Sequence, residues 1–291
     1  MLFVRPTINA DFQRGSIGIV RHQNCELFVK KNLIQNLKKL FSKDASFAIA
    51  VSGGLDSVTL ARLFDLSFDK NNFTIYHGIS SAVPTNLTKN LQSTASRYDW
   101  NYEEFNLNEI DIYNYKKNPI NRCFYCKKNL YSLISKITSS QIISGTNLDD
   151  LKEYRPGLKA AGEFSVRHPF VEIGLKKEMV RELAKELKLS FYAKLHSSPC
   201  LSSRIQTGIE ITPDLHKMID SVETLIRKTE RTALGNIRCR VTSDGINLEV
   251  DREIISKVIH NKKLQMEIIQ TISKFGYKSK VNYKPYVNGS A

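Results

Sequence analysis

The chain has 291 residues, of which 41% are hydrophobic and 25% charged, and its formal net charge is +14. This length and balance suit a globular protein with room for two domains, and exclude a disordered or low-complexity chain. No apolar stretch approaches the ~20 residues that cross a bilayer. Residues 1–20 lack the continuous apolar core of a signal peptide, so no membrane and a cytoplasmic location are expected. The charge comes largely from scattered lysines such as Lys38-Lys39, Lys127-Lys128 and Lys262-Lys263. It points to anionic partners, nucleotides first and RNA as an alternative, or simply to a solvated basic face. The cysteines are Cys25, Cys123, Cys126, Cys200 and Cys239, an odd count that favours metal or reactive-thiol chemistry over a disulfide framework.

Along the chain, apolar spacing predicts a helix over residues 26–41, with Val29, Leu33, Leu37 and Leu40 on one face. Residues 47–51 are short and wholly apolar, as in a strand buried on both sides of a parallel sheet. Strands over 73–79, 102–107 and 141–144 then alternate with helices over 85–97 and 127–137. Repeated βα units imply an α/β fold, a doubly wound parallel sheet with ligands at the carboxyl ends of its strands. Another strand is expected over 166–170 and a helix over 176–187, whereas 190–208 shows no period. Thr212-Pro213 reads as a helix N-cap with proline at the first helical position. The helix to Arg227 precedes a hairpin turning at Asp244-Gly245, a helix over 252–275 and a strand near 280–283, a smaller α+β unit. The expected division is an N-terminal extension over 1–25, the α/β domain over 26–208 and a C-terminal substrate or oligomerisation domain over 209–291.

The first strand ends in Ser52-Gly53-Gly54-Leu55-Asp56-Ser57 and a helix follows at once. Small residues let the backbone curl around an anion, and the helix aims its free N–H groups and positive dipole end at it. Ser52 and Ser57 add hydroxyls, and Asp56 suits a metal or an orienting contact. No lysine follows the glycines, so this is not the loop that grips a transferring γ-phosphate. It resembles instead the PP-loop of ATP pyrophosphatases, which hold the leaving pyrophosphate while the α-phosphate is attacked.

Three more segments stand out. Asn118-Pro119-Ile120-Asn121-Arg122-Cys123-Phe124-Tyr125-Cys126-Lys127 puts two thiols at a helix entry. Gly145-Thr146-Asn147-Leu148-Asp149-Asp150, followed by Tyr154-Arg155-Pro156-Gly157, comes after the strand at 141–144. Pro199-Cys200-Leu201-Ser202-Ser203-Arg204 is the third. With the opening loop, these resemble the LarE family of ATP-dependent sulfur transferases from about residue 26 to residues 286–290. The resemblance implies adenylation of a carboxylate of a pyridinium mononucleotide, or of an oxo group on a similar heterocycle, and exchange of that oxygen for sulfur. It also implies ATP, Mg²⁺ near Asp56, a homo-oligomer, and the branch in which Cys123, Cys126 and Cys200 hold a [4Fe–4S] cluster fed by external sulfide or another donor. Thr146, Asn147 and Asp150 are expected on nucleotide or metal, with Gly145 in the same turn and Gly78 and Ser80 walling adenine or ribose. Arg155 and Arg204 can offer paired contacts to phosphate or carboxylate. Arg238 and Arg240 match an anion-binding pair or form a solvated strand face.

The sequence departs from the family's pattern at Ser144, usually Asp, at Lys194–Ser197, at Thr207-Gly208 and at Thr242–Gly245. These positions bear on the acceptor more than on ATP. Other assignments stay open: zinc on the thiols with His168 or His196, tRNA thiolation, an ammonia-using amidoligase, or a non-enzymatic nucleotide-binding module. Cys25 and Cys239 read as structural.

Overall fold

A computed structural model describes residues 31–196, 199–231, 235–278 and 280–287. Four parallel strands, β1 (Phe47–Ala50), β2 (Phe73–Ile79), β3 (Tyr102–Asn106) and β4 (Gln141–Ser144), lie in the order β3-β2-β1-β4. The wholly apolar β1 is central, pairing with β2 on one side and β4 on the other, and all four of its residues are buried. Because β2 and β4 flank it on opposite sides, the chain reverses direction across the sheet at the carboxyl end of β1, where a ligand crevice opens.

Helices cover both faces. A helix described over residues 31–40 (α1) packs with α2 (Leu55–Asp65), α3 (Thr85–Tyr98), α8 (Lys177–Glu186) and α9 (Ser190–Lys194) against one. Phe41, Phe47, Phe64 and Phe68 pack there with ring centroids 5.0–6.3 Å apart. The other face is closed by α5 (Arg122–Ile137) and α6 (Pro156–Glu163) through Leu130, Tyr131, Ile134 and Ala161. The fold is α/β, as expected. Short α4 (Tyr113–Lys116) and α7 (Pro169–Glu172) complete this part.

The second sheet pairs β5 (Ile237–Thr242) and β6 (Gly245–Val250) as the expected hairpin, and adds β7 (Val281–Pro285) parallel to β6. Its core is shared with α10 (Pro213–Thr229), α11 (Arg252–His260) and α12 (Lys262–Lys274). Thr212 caps α10, its hydroxyl accepting from Leu215 N at 3.1 Å. This core also takes in Tyr115, Leu201 and Ile205, with Cys126 packed against it. Apolar packing thus runs across the division expected at 208/209.

Three local expectations change. The strand over 166–170 is a single parallel bridge from Arg167 to Ile143, because Pro169 cannot donate to a ladder and instead starts α7. The helix over 252–275 breaks at Asn261, whose side chain accepts from Leu264 N at 3.0 Å and caps a separate α12. Finally, α5 begins at Arg122, so Cys123 lies in its first turn and Cys126 opens the second, three residues apart and on one face. Residues 26–30 of the first helix, Cys25, and the extension over 1–25 lie outside the described residues.

Candidate active site

The loop after β1 is held open by its own backbone. Gly53 has φ +79°, in the left-handed region, and a Cβ there would come within 3.1 Å of Leu87 O. Gly54 caps α2 without a side-chain hydrogen bond, leaving the first N–H groups of the helix for a ligand. Ser57 Oγ ties the loop together, donating to Gly54 O at 3.2 Å and lying 3.3 Å from Ser52 Oγ. From below, His77 on β2 places Nδ1 2.8 Å from Val51 O and Nε2 3.0 Å from Thr88 Oγ1.

The strand-end turn after β4 lies directly against this loop. A Cβ on Gly145 would meet Ser57 N at 2.8 Å, so glycine is what lets the two backbones touch. Asn147, fully buried, caps the following turn through Oδ1, which accepts from Asp149 N at 3.0 Å, and its Nδ2 reaches Asp56 Oδ1 at 3.4 Å. Asp150 accepts from Asn147 N at 3.1 Å and pairs with Arg155 at 2.7 Å. Burial raises the Asp150 carboxyl above its ordinary value, the backbone N–H and Arg155 pull it down, and the Asp56 carboxylate nearby pushes it up again. Asn147 thus bonds to both carboxylates, Asp56 through Nδ2 and Asp150 through its backbone N–H, and carboxylate oxygens are the donors that a divalent cation takes. Asp56 is also paired with Lys177, at the start of α8, whose backbone N–H is held by Asp149 at 2.9 Å. Sequence reading missed Lys177. It lies 121 residues from Asp56, and its only local signal is a Lys-Lys pair opening a helix.

The thiols occupy the seam between the two sheets. Cys123, Cys126 and Cys200 are free; Cys200 influences the titration of both Cys123 and Cys126, and Cys123 that of Cys126. Cys123 is an exposed residue, but the protein packed around its sulfur, then Cys200, raises the thiol, and Arg122, Lys127 and Arg155 oppose that rise. Cys126 is pushed up to about 12, chiefly by burial, with Lys127 working against it. Lys127 itself is raised by Tyr131 and by all three sulfurs. The cations Arg122, Lys127 and Arg155 are therefore suited to offset negative charge gathered on the thiols.

Long-range bonds hold this seam. The buried amide of Asn118 donates to Gln206 O at 2.9 Å and Ile209 O at 3.0 Å, joining the segment before Cys123 to the one after Cys200. Leu201 N donates to Ala82 O at 2.7 Å. Ser202 Oγ stands 2.6 Å from Tyr115 OH and 3.0 Å from His216 Nε2, and His216 Nδ1 is 2.9 Å from Ser81 Oγ. Burial and the Arg122 charge lower His216 to about 4, so it is neutral. These partners come from four separate stretches and carry no shared motif.

Other expected residues have different surroundings. Arg204 is 2% exposed; its Nε donates to Glu223 at 3.0 Å and Nη1 to Pro199 O at 2.7 Å, so it braces the Cys200 turn rather than facing a ligand. Gly78 leaves room for Leu107, which a Cβ would approach to 2.7 Å. Ser80 is hydrogen-bonded to buried Glu109 and receives Ala82 N at 2.9 Å. Thr146 Oγ1 is 3.3 Å from Ser144 Oγ. Arg240 pairs with Glu249 at 2.8 Å, and Arg238 is 4% exposed, which removes the solvated-face reading for it. Cys239 is fully buried on β5, opposite Leu248.

Arg155 joins the two halves. It pairs with Asp150 on the phosphate side and its charge reaches Cys123 on the other. No group of three or more His, Cys, Asp or Glu side chains among the described residues is arranged around a single metal ion. Of the histidines weighed for zinc, His168 has Nδ1 2.8 Å from Ser144 Oγ and His196 has Nδ1 3.3 Å from Asn236 Nδ2.

No family profile matches the chain. An uncharacterised protein of Methanocaldococcus jannaschii is 32% identical over 264 residues, 87% of this chain and 95% of its own. One from Synechocystis sp. is 30% identical over 251 residues, 84% of this chain and 90% of its own. The chain belongs to the family of these two proteins. It is also similar to the pyridinium-3,5-bisthiocarboxylic acid mononucleotide synthase of Lactiplantibacillus plantarum, at 27% identity over 76% of this chain and 79% of that enzyme. That match supports a LarE-like relationship. Among the described residues, no helix is long and apolar enough to cross a membrane.

Proposed function

We propose that this family member is an ATP-dependent sulfur transferase acting on a small nucleotide-like heterocycle, with the phosphate loop as its activating half and the three thiols as its sulfur-handling half. The observation that carries the reading is the continuous line Asp56–Asn147–Asp150–Arg155, whose terminal charge is felt at Cys123. A pyrophosphate-gripping loop and a set of thiols have no shared purpose unless one activates what the other attacks. The similarity to the bisthiocarboxylic acid mononucleotide synthase agrees with that pairing.

In the first step the acceptor oxygen attacks the α-phosphorus of ATP, the bond to the pyrophosphate oxygen breaks, and pyrophosphate departs. The uncapped α2 N-terminus, Ser52 and Ser57 receive the departing charge. Mg²⁺ near Asp56 and Asp150 would neutralise it, and the Lys177 ammonium beside Asp56 supplies the cation that the loop itself lacks. In the second step a sulfide attacks the activated carbon and its bond to the AMP oxygen breaks. In this reading Cys123, Cys126 and Cys200 would hold a [4Fe–4S] cluster, with Arg122, Lys127 and Arg155 offsetting its negative charge. Such a cluster would leave one iron without a protein ligand, able to carry that sulfide. Cys123 and Cys126 hold their spacing through one turn of α5, while Arg204 and Ser202 fix Cys200 opposite them.

The test is product identity together with metal content. ATP labelled at the α-phosphate should yield AMP rather than ADP when acceptor and sulfide are supplied. Anaerobically reconstituted protein should bind about four iron and four sulfide per chain. Release of ADP, or AMP formation with ammonia in place of sulfide, would reject the reading; zinc in place of iron would reject the cluster.

A further inference from the structure

One histidine between the two halves has no task in the reaction just described. His168 follows Arg167, which bridges to Ile143 beside the end of β4, and it precedes α7. Its Nδ1 is 2.8 Å from Ser144 Oγ, and that hydroxyl lies 3.3 Å from Thr146 Oγ1. With the Ser144 hydroxyl donating to Thr146 Oγ1 and accepting from the ring, Nδ1 carries the proton and Nε2 keeps its lone pair. Among the described residues no partner meets Nε2, and the side chain is half-buried.

Its neighbours fix where it works. Ser144 adjoins Gly145, which lies against Ser57 of the phosphate loop. On the other side the Lys127 charge reaches both His168 and all three thiols. The charged groups facing the ring are Lys127 from α5 and Glu172 from α7, the latter already paired with Arg167. Burial, the largest influence, lowers the imidazole below its usual value, so it is neutral at pH 7.

We propose that His168 is a catalytic residue on the acceptor side, taking a proton through Nε2 from an oxo-heterocycle of lactam type, –NH–C(=O)–. The inference rests on the ATP-dependent thiolation reading and narrows its acceptor class. The lactam oxygen attacks the α-phosphorus, pyrophosphate leaves, the ring nitrogen gives its proton to Nε2, and a C=N bond forms. A carboxylate acceptor needs no such base. It carries no proton when it attacks ATP, and the thiocarboxylic acid it becomes is acidic enough to ionise unaided.

Acceptor-dependent AMP release tests this, with uridine 5′-monophosphate and inosine 5′-monophosphate set against pyridinium-3,5-biscarboxylate mononucleotide. Release with a lactam nucleotide is the expected result, and His168→Asn should lower kcat about a hundredfold with little change in the KM for ATP. The asparagine amide still donates to Ser144, so a residue that only braced the loop would leave kcat unchanged. The wild-type rate should fall in acid below the ordinary histidine range, and that limb should vanish in His168→Asn. Release with the biscarboxylate alone, at equal rates in both proteins, overturns the inference. Release with neither class overturns the thiolation reading itself, and this inference with it.

Discussion

The phosphate loop and the thiol seam are built in opposite ways. The loop is local: residues 52–57 leave the central strand and enter a helix, and two glycines set the backbone. The seam is assembled from α4, the start of α5, the turn at Leu201–Arg204 and α10, which come from distant parts of the chain. A site made of one continuous turn survives changes elsewhere, whereas a seam depends on every segment that meets at it. Changes in the loop should therefore abolish both half-reactions, and changes in the seam only sulfur transfer.

The largest expected effect is on the loop. Asp56→Ala removes the carboxylate that meets Lys177 and Asn147, and should lower AMP formation and sulfur incorporation together by about a hundredfold or more. Loss of sulfur incorporation alone would break the division of labour.

On the seam, Glu223→Ala leaves the Arg204 guanidinium buried without its carboxylate, at a cost of about 3–5 kcal/mol. Urea unfolding should register that loss, and peptide-resolved alkylation should find Cys200 faster to react. An unchanged midpoint would mean Arg204 is not the brace described here.

The next effect is pH-dependent. His216 is lowered to about 4 in the folded protein and returns to about 6.5 on unfolding, so the unfolded chain binds the extra proton between those values. Its contribution is complete above pH 6.5 and falls by about 3 kcal/mol as the pH drops towards 4. His216→Gln should flatten that slope; an unaltered slope would assign acid sensitivity elsewhere.

Gly145→Ala should be milder, costing about 1–3 kcal/mol as the added methyl pushes on Ser57 N, and it should weaken ATP binding more than it destabilises the fold. Equal effects on both would make Gly145 a packing residue only.

This contrast also explains what could be read from the sequence. Strand β1, the helix after it and the Gly145–Asp150 turn carry their signals within a few residues, and the α/β fold follows from apolar runs alternating with helical spacing. The hairpin about Asp244-Gly245 is equally local. Lys177, Tyr115, His216 and Glu223 carry no such mark, because each acquires its role from a partner 19 to 135 residues away. Arg204 shows the reverse difficulty: a guanidinium in a motif reads as a ligand contact, while burial against Glu223 turns it to bracing. At residues 166–170 a β-like composition yielded to Pro169, which ends the pairing after one bridge.

Cys200→Ala, assayed anaerobically with ATP, sulfide and an accepted acceptor, separates the two regions most directly. AMP and pyrophosphate should still form near the wild-type rate while sulfur incorporation disappears. Sulfur incorporation that persists, or the loss of AMP formation along with it, would contradict the assignment of activation to the loop and sulfur handling to the thiols.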